Sequence, residues 1–143
     1  MQIQLQKVVP TFIEEEKISR SQIWNSSVIF NEGEKIEIVA PSGSGKTSLI
    51  HFLYGLRKDY NGTIAYDANS IAAFNAEHFA IYRQQHISIV FQDLRLFAEQ
   101  TVLQNLEIKR QLNPYHTETK IAAMAKRLGI ENVAVMPTDG GHP

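Results

Sequence analysis

An α/β fold is expected of these 143 residues, and three observations carry that expectation. A β-rich segment, "KIEIVA" at 35–40, runs straight into a glycine-rich turn, "PSGSGKT" at 41–47. An apolar run follows the turn with Leu49, Ile50, Leu53 and Leu56 at helical spacing. A second buried-strand candidate, "HISIVF" at 86–91, precedes segments of helical character. The length suits one ordinary domain, and 43% hydrophobic with 20% charged residues is a globular composition. A net charge of -1 gives no general attraction to nucleic acid or anionic lipid, so any polyanion must be held locally. The absence of cysteine excludes a disulfide scaffold and a cysteine metal site, and fits a reducing compartment. The start "MQIQLQKVVP" has no apolar signal core, and no run approaches the roughly 20 apolar residues of a membrane span. A soluble chain that docks on a membrane protein fits these features.

The elements follow in order. "IQLQKVV" at 3–9 alternates apolar and polar as a half-buried strand does, and Pro10 interrupts it. "FIEEEKISRSQ" reads as a charged loop or hairpin connection before a strand-like stretch from Ile23 to Phe30, and "NEGE" at 31–34 is a turn. After the glycine loop, the helix of Thr47 to Leu56 is expected to end near Gly55. "DYNG" signals a turn, "TIAYD" at 63–67 a short strand, and Asn75 to Gln84 a helix. "TVLQNLEIKRQL" begins the helical part, broken at Asn113-Pro114. "TETKIAAMAKRLGI" then offers Thr117 as cap, Ile121, Met124, Ala125 and Leu128 as one face, and Gly129 as stop. "MPTDGGHP" reads as an untethered tail.

The pattern A-x-x-x-x-G-K-T at Ala40 to Thr47 is a Walker A loop with alanine in its first position. Its residue types specify an anion cradle. Backbone N–H groups from Gly43 through Thr47 turn inward, the helix N-terminus adds its positive dipole end, and Gly43 and Gly45 let the main chain approach phosphate. Lys46 reaches the β- and γ-phosphates, and the Thr47 hydroxyl is placed to ligate Mg²⁺. The bland alternative is a flexible serine-glycine linker, but the strand before it and the amphipathic helix after it speak for the cradle. Alone, the loop leaves small-molecule kinases, GTPases and motor or transport ATPases open.

"HISIVFQDLRLFAEQTVLQNL", His86 to Leu106, narrows the choice: a buried strand ending in glutamine, a mixed loop, then a helix start. It resembles the Q-loop of ATP-binding cassette (ABC) transporter ATPases. "GEKIEIVAPSGSGKTSLIHFLYGL", "NGTIAYD", "VFQDLRLF", "TVLQNL" and "AKRLGI" fall in that family's order. "VFQDLRLF" is most similar to the subgroup serving lipoprotein-release, macrolide-export and cell-division permeases. The resemblance implies a P-loop NTPase fold: a RecA-like core, an N-terminal antiparallel β subdomain, and the start of a helical subdomain, incomplete at the C-terminus. It implies one partial nucleotide-binding domain over 1–143, with the β subdomain and P-loop core over about 1–97, the start of the helical subdomain over about 98–136, and a tail at 137–143. The implied ligands are ATP and Mg²⁺, held by Ser42, Gly43, Ser44, Gly45, Lys46, Thr47 and Ser48. Gln92 takes the place of the glutamine that contacts Mg²⁺ and the attacking water, and Phe12 that of an aromatic stacking on adenine. Unaided, Gln92 would read as a surface amide and Phe12 as core. The implied partners are a membrane permease, met through the Q-loop region including Arg95 to Glu99, and a second ATPase subunit sandwiching the nucleotide. The implied location is cytoplasmic, at the inner face of the membrane.

Other conspicuous residues carry less. Trp24 reads as core or sheet packing, the Glu14-Glu15-Glu16 run as a solvated loop, and His51, His78, His86, His116 and His142 show no metal-ligand spacing. After "LGIENVAVMPTD" the family would continue into its signature motif, Walker B aspartate, catalytic glutamate and switch histidine, whereas the sequence reads "GGHP". Gly140-Gly141 and His142 do not replace them. Binding without turnover is therefore expected of this chain alone, since the carboxylates that position metal and water are missing. The flanking strands for "KIEIVA" and "HISIVF" would also come from further sequence, so a marginal monomer is expected. The competing readings are a non-hydrolysing nucleotide-binding or interaction module, or degenerate product, and a guanylate-kinase-like phosphotransferase, whose loop can also read "PSGSGK".

Overall fold

In the computed structural model, residues 1–93 and 95–132 are described. The tail expected over 137–143, with Gly140-Gly141 and His142, lies outside the described residues. The chain forms two compact units, Met1–Ile89 and the residues from Val90 onward.

The first unit is built on a four-stranded antiparallel sheet ordered β2-β1-β3-β4. Its strands are β1 (Ile3–Pro10), β2 (Ser27–Phe30), β3 (Tyr60–Tyr66) and the short β4 (Asn69–Ser70). The alternation read in "IQLQKVV" is broken in its middle: Leu5 and Val8, each at most 1% exposed, stand three apart yet both enter the core, because the strand backbone is irregular at Lys7, φ +49. β1 pairs with β2 from Ile3 opposite Phe30 to Gln6 opposite Ser27, and with β3 from Ile3 opposite Tyr66 to Pro10 opposite Tyr60. The register against β3 shifts between Gln6 and Val9. Gly62 lies there at φ +93, and a Cβ on it would strike the Lys7 carbonyl. "DYNG" is accordingly not the turn its residues suggest. The glycine is inside the strand, where an irregular partner backbone comes close.

Helix α2 (Lys46–Leu53) lies over this sheet, with Leu49 and Phe52 buried. Its end matches the expectation at Gly55: Gly55 N–H donates to the Phe52 carbonyl at 3.0 Å and Leu56 N–H to the His51 carbonyl at 2.8 Å, a Schellman closure. Two further side chains hold that end. Tyr66 on β3 donates its hydroxyl to the Leu53 carbonyl. Arg83 on α3 (Ala76–Gln85) donates to the Tyr54 carbonyl at 3.0 and 3.3 Å, a cation at the negative end of the helix dipole. Asn75 caps α3 by accepting from His78 N–H at 2.9 Å. Phe74, Phe79 and Tyr82 pack with Tyr66 to close the core at this end. The charged connection before Ile23 holds a short helix, α1 (Glu15–Ser19), and the strand-like stretch from Ile23 contracts to β2.

Burial pushes the Tyr66 hydroxyl up from 10.0 to about 12. The folded state thus holds the Tyr66 proton more tightly than the unfolded chain does. The stability this contributes is complete below pH 10 and disappears as pH rises through about 12. We expect a fall in melting temperature over that interval, reduced in Tyr66→Phe, with thermal melts from pH 8 to 12 as the check. A parent and variant with the same alkaline slope would refute the assignment to Tyr66.

"KIEIVA" and "HISIVF", expected as strands, carry no ladder in the structure. Ile36 is 49% exposed, Val39 83% and Val90 95%. Neither segment is paired with a strand of the described sheet, whose edges are β2 and β4, and the backbone bonds of the second are local, with the His86 and Ile87 N–H groups donating to the Tyr82 carbonyl at 2.8 and 2.9 Å.

The second unit contains α4 (Val102–Leu112) and α5 (Glu118–Arg127). Thr101 starts α4 with a reciprocal capping box: its hydroxyl accepts from Gln104 N–H at 3.2 Å and its N–H donates to Gln104 Oε1 at 2.8 Å. Arg110 ties the two helices, bonding Glu107 on α4 and lying 3.6 Å from Glu118 on α5. Thr117 occupies the cap position of α5, but its hydroxyl meets Thr119 at 2.8 Å instead of capping. Ala125 is the buried member of the apolar face read in α5, whereas Met124 and Leu128 are exposed. Gly129 ends the helix as expected, with its N–H on the Lys126 carbonyl and Ile130 N–H on the Ala125 carbonyl, both at 3.0 Å.

Candidate functional site: the glycine loop and its supports

The loop reaches α2 through Gly43 at φ +75 and Gly45 at φ +92, conformations that L side chains rarely adopt. Gly45 is the N-cap of α2 and offers no side chain to its first turn, so no cap hydrogen bond is made there. The N–H groups that open an α-helix have no partner within it, so this end presents donors and the positive end of the dipole. The position is suited to an anion. Ser44 makes the bend by donating both its N–H, at 3.3 Å, and its hydroxyl, at 2.7 Å, to the Pro41 carbonyl. Lys46 turns its ammonium back onto the Pro41 carbonyl at 2.9 Å and onto the Ala40 carbonyl. These weakly basic acceptors neutralise none of its charge, so a phosphate oxygen would compete with them effectively.

The loop is braced from outside by two side chains that the sequence reading did not connect with it. Trp24, 5% exposed, donates its indole N–H to the Ser44 carbonyl at 3.0 Å. A Cβ on Gly45 would lie 2.6 Å from Ile13 Cδ1 and 3.1 Å from the Trp24 ring. Trp24 is therefore core, as expected, and also the floor of the loop. Its own backbone is fixed by Ser21, whose hydroxyl accepts from Ile23 N–H at 3.1 Å and Trp24 N–H at 2.9 Å.

A groove of about 700 Å³ opens beside the loop, lined by Lys17, Arg20, Trp24, Pro41, Ser42 and Lys46 among others. Lys17 and Arg20 face Glu14 and Glu16 at 3.5 and 2.7 Å, exposed pairs that leave little net field. Lys46 is thus the cation of greatest consequence for the loop.

Among the other predicted site residues, Ser42 and Thr47 are exposed and Ser48 is buried at the first turn of α2. The Ser48 hydroxyl accepts from Arg57 at 3.1 Å. Arg57 also pairs with Asp59 through a two-point contact, its Nε 2.9 Å from Asp59 Oδ1 and its Nη2 on Oδ2. That contact pulls the Asp59 carboxyl below the usual carboxylate range and raises the guanidinium. Phe12 is 49% exposed, 6.5 Å from Phe52 by ring centroid, and carries the Arg57 guanidinium 4.5 Å over its ring. Gln92 is exposed and belongs to the second unit. Near it Arg95 lies 3.9 Å over the Phe91 ring and 3.3 Å from Asp93. Among the described residues no group of three histidines or carboxylates could hold a metal ion, and no helix is long and apolar enough to cross a membrane. The donors fit a triphosphate carrying its own metal: an uncapped first turn, two glycines that keep the approach clear, a lysine, and a hydroxyl at Thr47.

Comparison with known proteins points the same way. The family described as "ABC transporter" matches residues 23–140. The chain is 28% identical over 120 residues to the ABC transporter ATP-binding protein YxdL of Bacillus subtilis, covering 82% of this chain and 47% of the relative. It is 28% identical over 112 residues to the thiamine import ATP-binding protein ThiQ of Escherichia coli K12, covering 75% of this chain and 45% of that one. It is 36% identical over 74 residues to the lipoprotein-releasing system ATP-binding protein LolD of Syntrophotalea carbinolica, covering 52% and 33%. The chain therefore spans half or less of the length of these relatives. Its fold matches that of the ATP-binding cassette MJ0796, solved as a dimer in a post-hydrolysis state with ADP and Pi, at a TM-score of 0.76 and 22% identity over 98% of this chain and 63% of that one. With the family matched over most of its length, and with the glycine loop, its helix and the antiparallel sheet in place, the chain belongs to the ABC transporter family, as an N-terminal portion of its ATPase.

Proposed function

We propose that the chain binds Mg-ATP through its glycine loop and acts as the nucleotide-binding part of an ABC transporter ATPase. The uncapped first turn of α2, with Lys46 beside it on the Ala40 and Pro41 carbonyls, is the observation that carries this reading. In it, backbone donors from Gly43 to Thr47 hold the phosphates, and Lys46 supplies charge at their outer end. Ser42, Ser44 and Ser48 add hydroxyls, Thr47 and Gln92 meet the Mg²⁺, and Phe12 stacks on adenine. The β subdomain and P-loop core over about 1–97 would carry all of these except their coupling to the helical part that begins near 98. The Q-loop region would meet a membrane permease at the cytoplasmic face, and a second ATPase subunit would close over the nucleotide. The relatives' names, one for thiamine import and one for lipoprotein release, support a transport role without selecting a cargo.

Hydrolysis is the part of the reaction these 143 residues do not equip. Water attack needs a carboxylate to orient the nucleophile and another to hold the metal, and the motif that would supply them is not in the sequence. The chain alone is expected to bind and not to turn over. The test is thermal melting of the parent and Lys46→Ala with and without Mg-ATP. Ligand at 100 times its dissociation constant should add about 2.7 kcal/mol to the parent and close to nothing to the variant. A parent that melts cooperatively with no rise refutes nucleotide binding. Steady phosphate release by the parent, lost in Lys46→Ala, would refute the separation of binding from turnover.

A further inference from the structure

Arg57 joins three structural parts of the nucleotide-binding unit. Its guanidinium lies 4.5 Å over the Phe12 ring and 5.7 Å from Phe52, donates to the Ser48 hydroxyl at 3.1 Å, and is held by Asp59. Asp59 is itself tied to the residue before Phe12: Thr11 N–H and Thr11 hydroxyl donate to its carbonyl at 3.0 and 3.1 Å. The end of β1, the start of β3 and the first turn of α2 thus meet at one side chain. From this arrangement we propose that Arg57 is a positioning residue for base recognition, fixing Phe12 with one face covered and the other turned out for a purine. The inference rests on the nucleotide reading above and adds to it a determinant of base affinity.

Arg57 acts on the base through Phe12. A half-exposed phenylalanine just past a strand end would sample several rotamers, and a ring that must be ordered on binding loses affinity to that ordering. A guanidinium stacked on the ring removes this freedom in advance, and being planar it leaves the opposite face unobstructed. The fork to Asp59 and the bond to Ser48 fix the guanidinium in turn. Lysine, with a compact ammonium, could not make the stack, the two-point carboxylate contact and the serine bond together. The main donors of the phosphate cradle are other atoms, the backbone N–H groups of residues 43–47 and Lys46, and Arg57 reaches the cradle through the Ser48 hydroxyl. Losing Arg57 should therefore weaken recognition of the base and spare recognition of the phosphates.

Titration calorimetry of the full chain with Mg-ATP and with Mg-tripolyphosphate separates these contributions. Arg57→Ala and Phe12→Ala are each expected to weaken Mg-ATP by about fivefold and to leave tripolyphosphate within about twofold. The double variant should be no weaker than Phe12→Ala alone, because Arg57 acts through that ring. Asp59→Asn, which keeps the shape and removes the ion pair, should give a smaller loss of the same selective kind, and Arg57→Lys should not restore the parent affinity. Melting of each variant in the absence of ligand confirms that it is folded, and Asp59→Asn carries the test should Arg57→Ala not fold. Equal loss of both ligands would overturn the proposal, since Arg57 would then act through Ser48 and the loop. Unchanged Mg-ATP affinity in both Arg57→Ala and Asp59→Asn would also overturn it, as would additive losses in the double variant. A parent that binds tripolyphosphate but gains nothing from the adenosine removes the base site while sparing the cradle. A parent that binds neither ligand refutes the nucleotide reading itself.

Discussion

Gly45→Ala is expected to abolish the Mg-ATP response and to lower the stability of the chain by about 2–5 kcal/mol. Two costs combine in that figure. An L residue held in the left-handed region costs roughly 1–2 kcal/mol, and overpacking a filled site typically costs about 1–3 more. At Gly45 both apply, because φ is +92 and the added methyl would meet Ile13 Cδ1 at 2.6 Å and the Trp24 ring at 3.1 Å. Ile13 can turn its terminal methyl aside, being only partly buried, but Trp24 has no easy retreat, since it is 5% exposed and its indole is bonded to the Ser44 carbonyl. The rest of the relief has to come from the loop, which moves the first turn of α2 and disperses its donors. Lys46→Ala provides the contrast, since it removes charge from an exposed position and should cost binding with little loss of stability. Urea unfolding of both variants, with and without Mg-ATP, distinguishes the two routes. A Gly45→Ala protein with parental midpoint and parental nucleotide response would mean that the packing of Trp24 and Ile13 does not shape the loop.

The loop was legible in the sequence because its requirements are local. Glycine at 43 and 45, lysine at 46 and a hydroxyl at 47 declare a backbone path and a charge, and the helix after them ends at Gly55 through bonds among residues 51–56. The same holds for Thr101 with Gln104, where four residues contain the whole interaction. Arg57 and Asp59 were not legible. Opposite charges two apart do not face each other on a helix, and only the turn between α2 and β3 brings them together over Phe12, 45 residues earlier in the chain than Arg57. The Trp24 bond to the loop is long-range too, across 20 residues. "KIEIVA" and "HISIVF" mark the opposite failure. Their β-branched composition states how such segments pack once paired, but a ladder also needs a neighbouring backbone, and none of the four described strands pairs with them. Gly62 misled for a related reason: glycine signals a turn and a close backbone approach equally, and only the irregular register of β1 against β3 decides between them.

Phe52→Ala should cost about 3–5 kcal/mol, a large part of the roughly 5–15 kcal/mol that holds a domain of this kind together. Phe52 is fully buried on the inner face of α2 and stands among three rings, with centroids 4.8 Å away at Tyr60, 6.2 Å at Trp24 and 6.5 Å at Phe12. Its removal opens a cavity under both supports of the site, the indole that braces the loop and the ring proposed to stack on adenine. The loss should therefore extend beyond stability. Phe52→Leu tests this, because it keeps most of the apolar volume and should cost less than about 1.5 kcal/mol. If ring contacts orient Phe12 and Trp24, Phe52→Leu will fold well yet bind Mg-ATP more weakly than the parent. Phe79→Ala controls for a general core defect: Phe79 is 5% exposed and packs at the opposite end of α2, over Gly55, away from the loop. It should lower the melting temperature while preserving the increment that Mg-ATP adds. Equal nucleotide increments in the parent, Phe52→Leu and Phe79→Ala would show that Phe52 fills space under the site without setting the geometry above it.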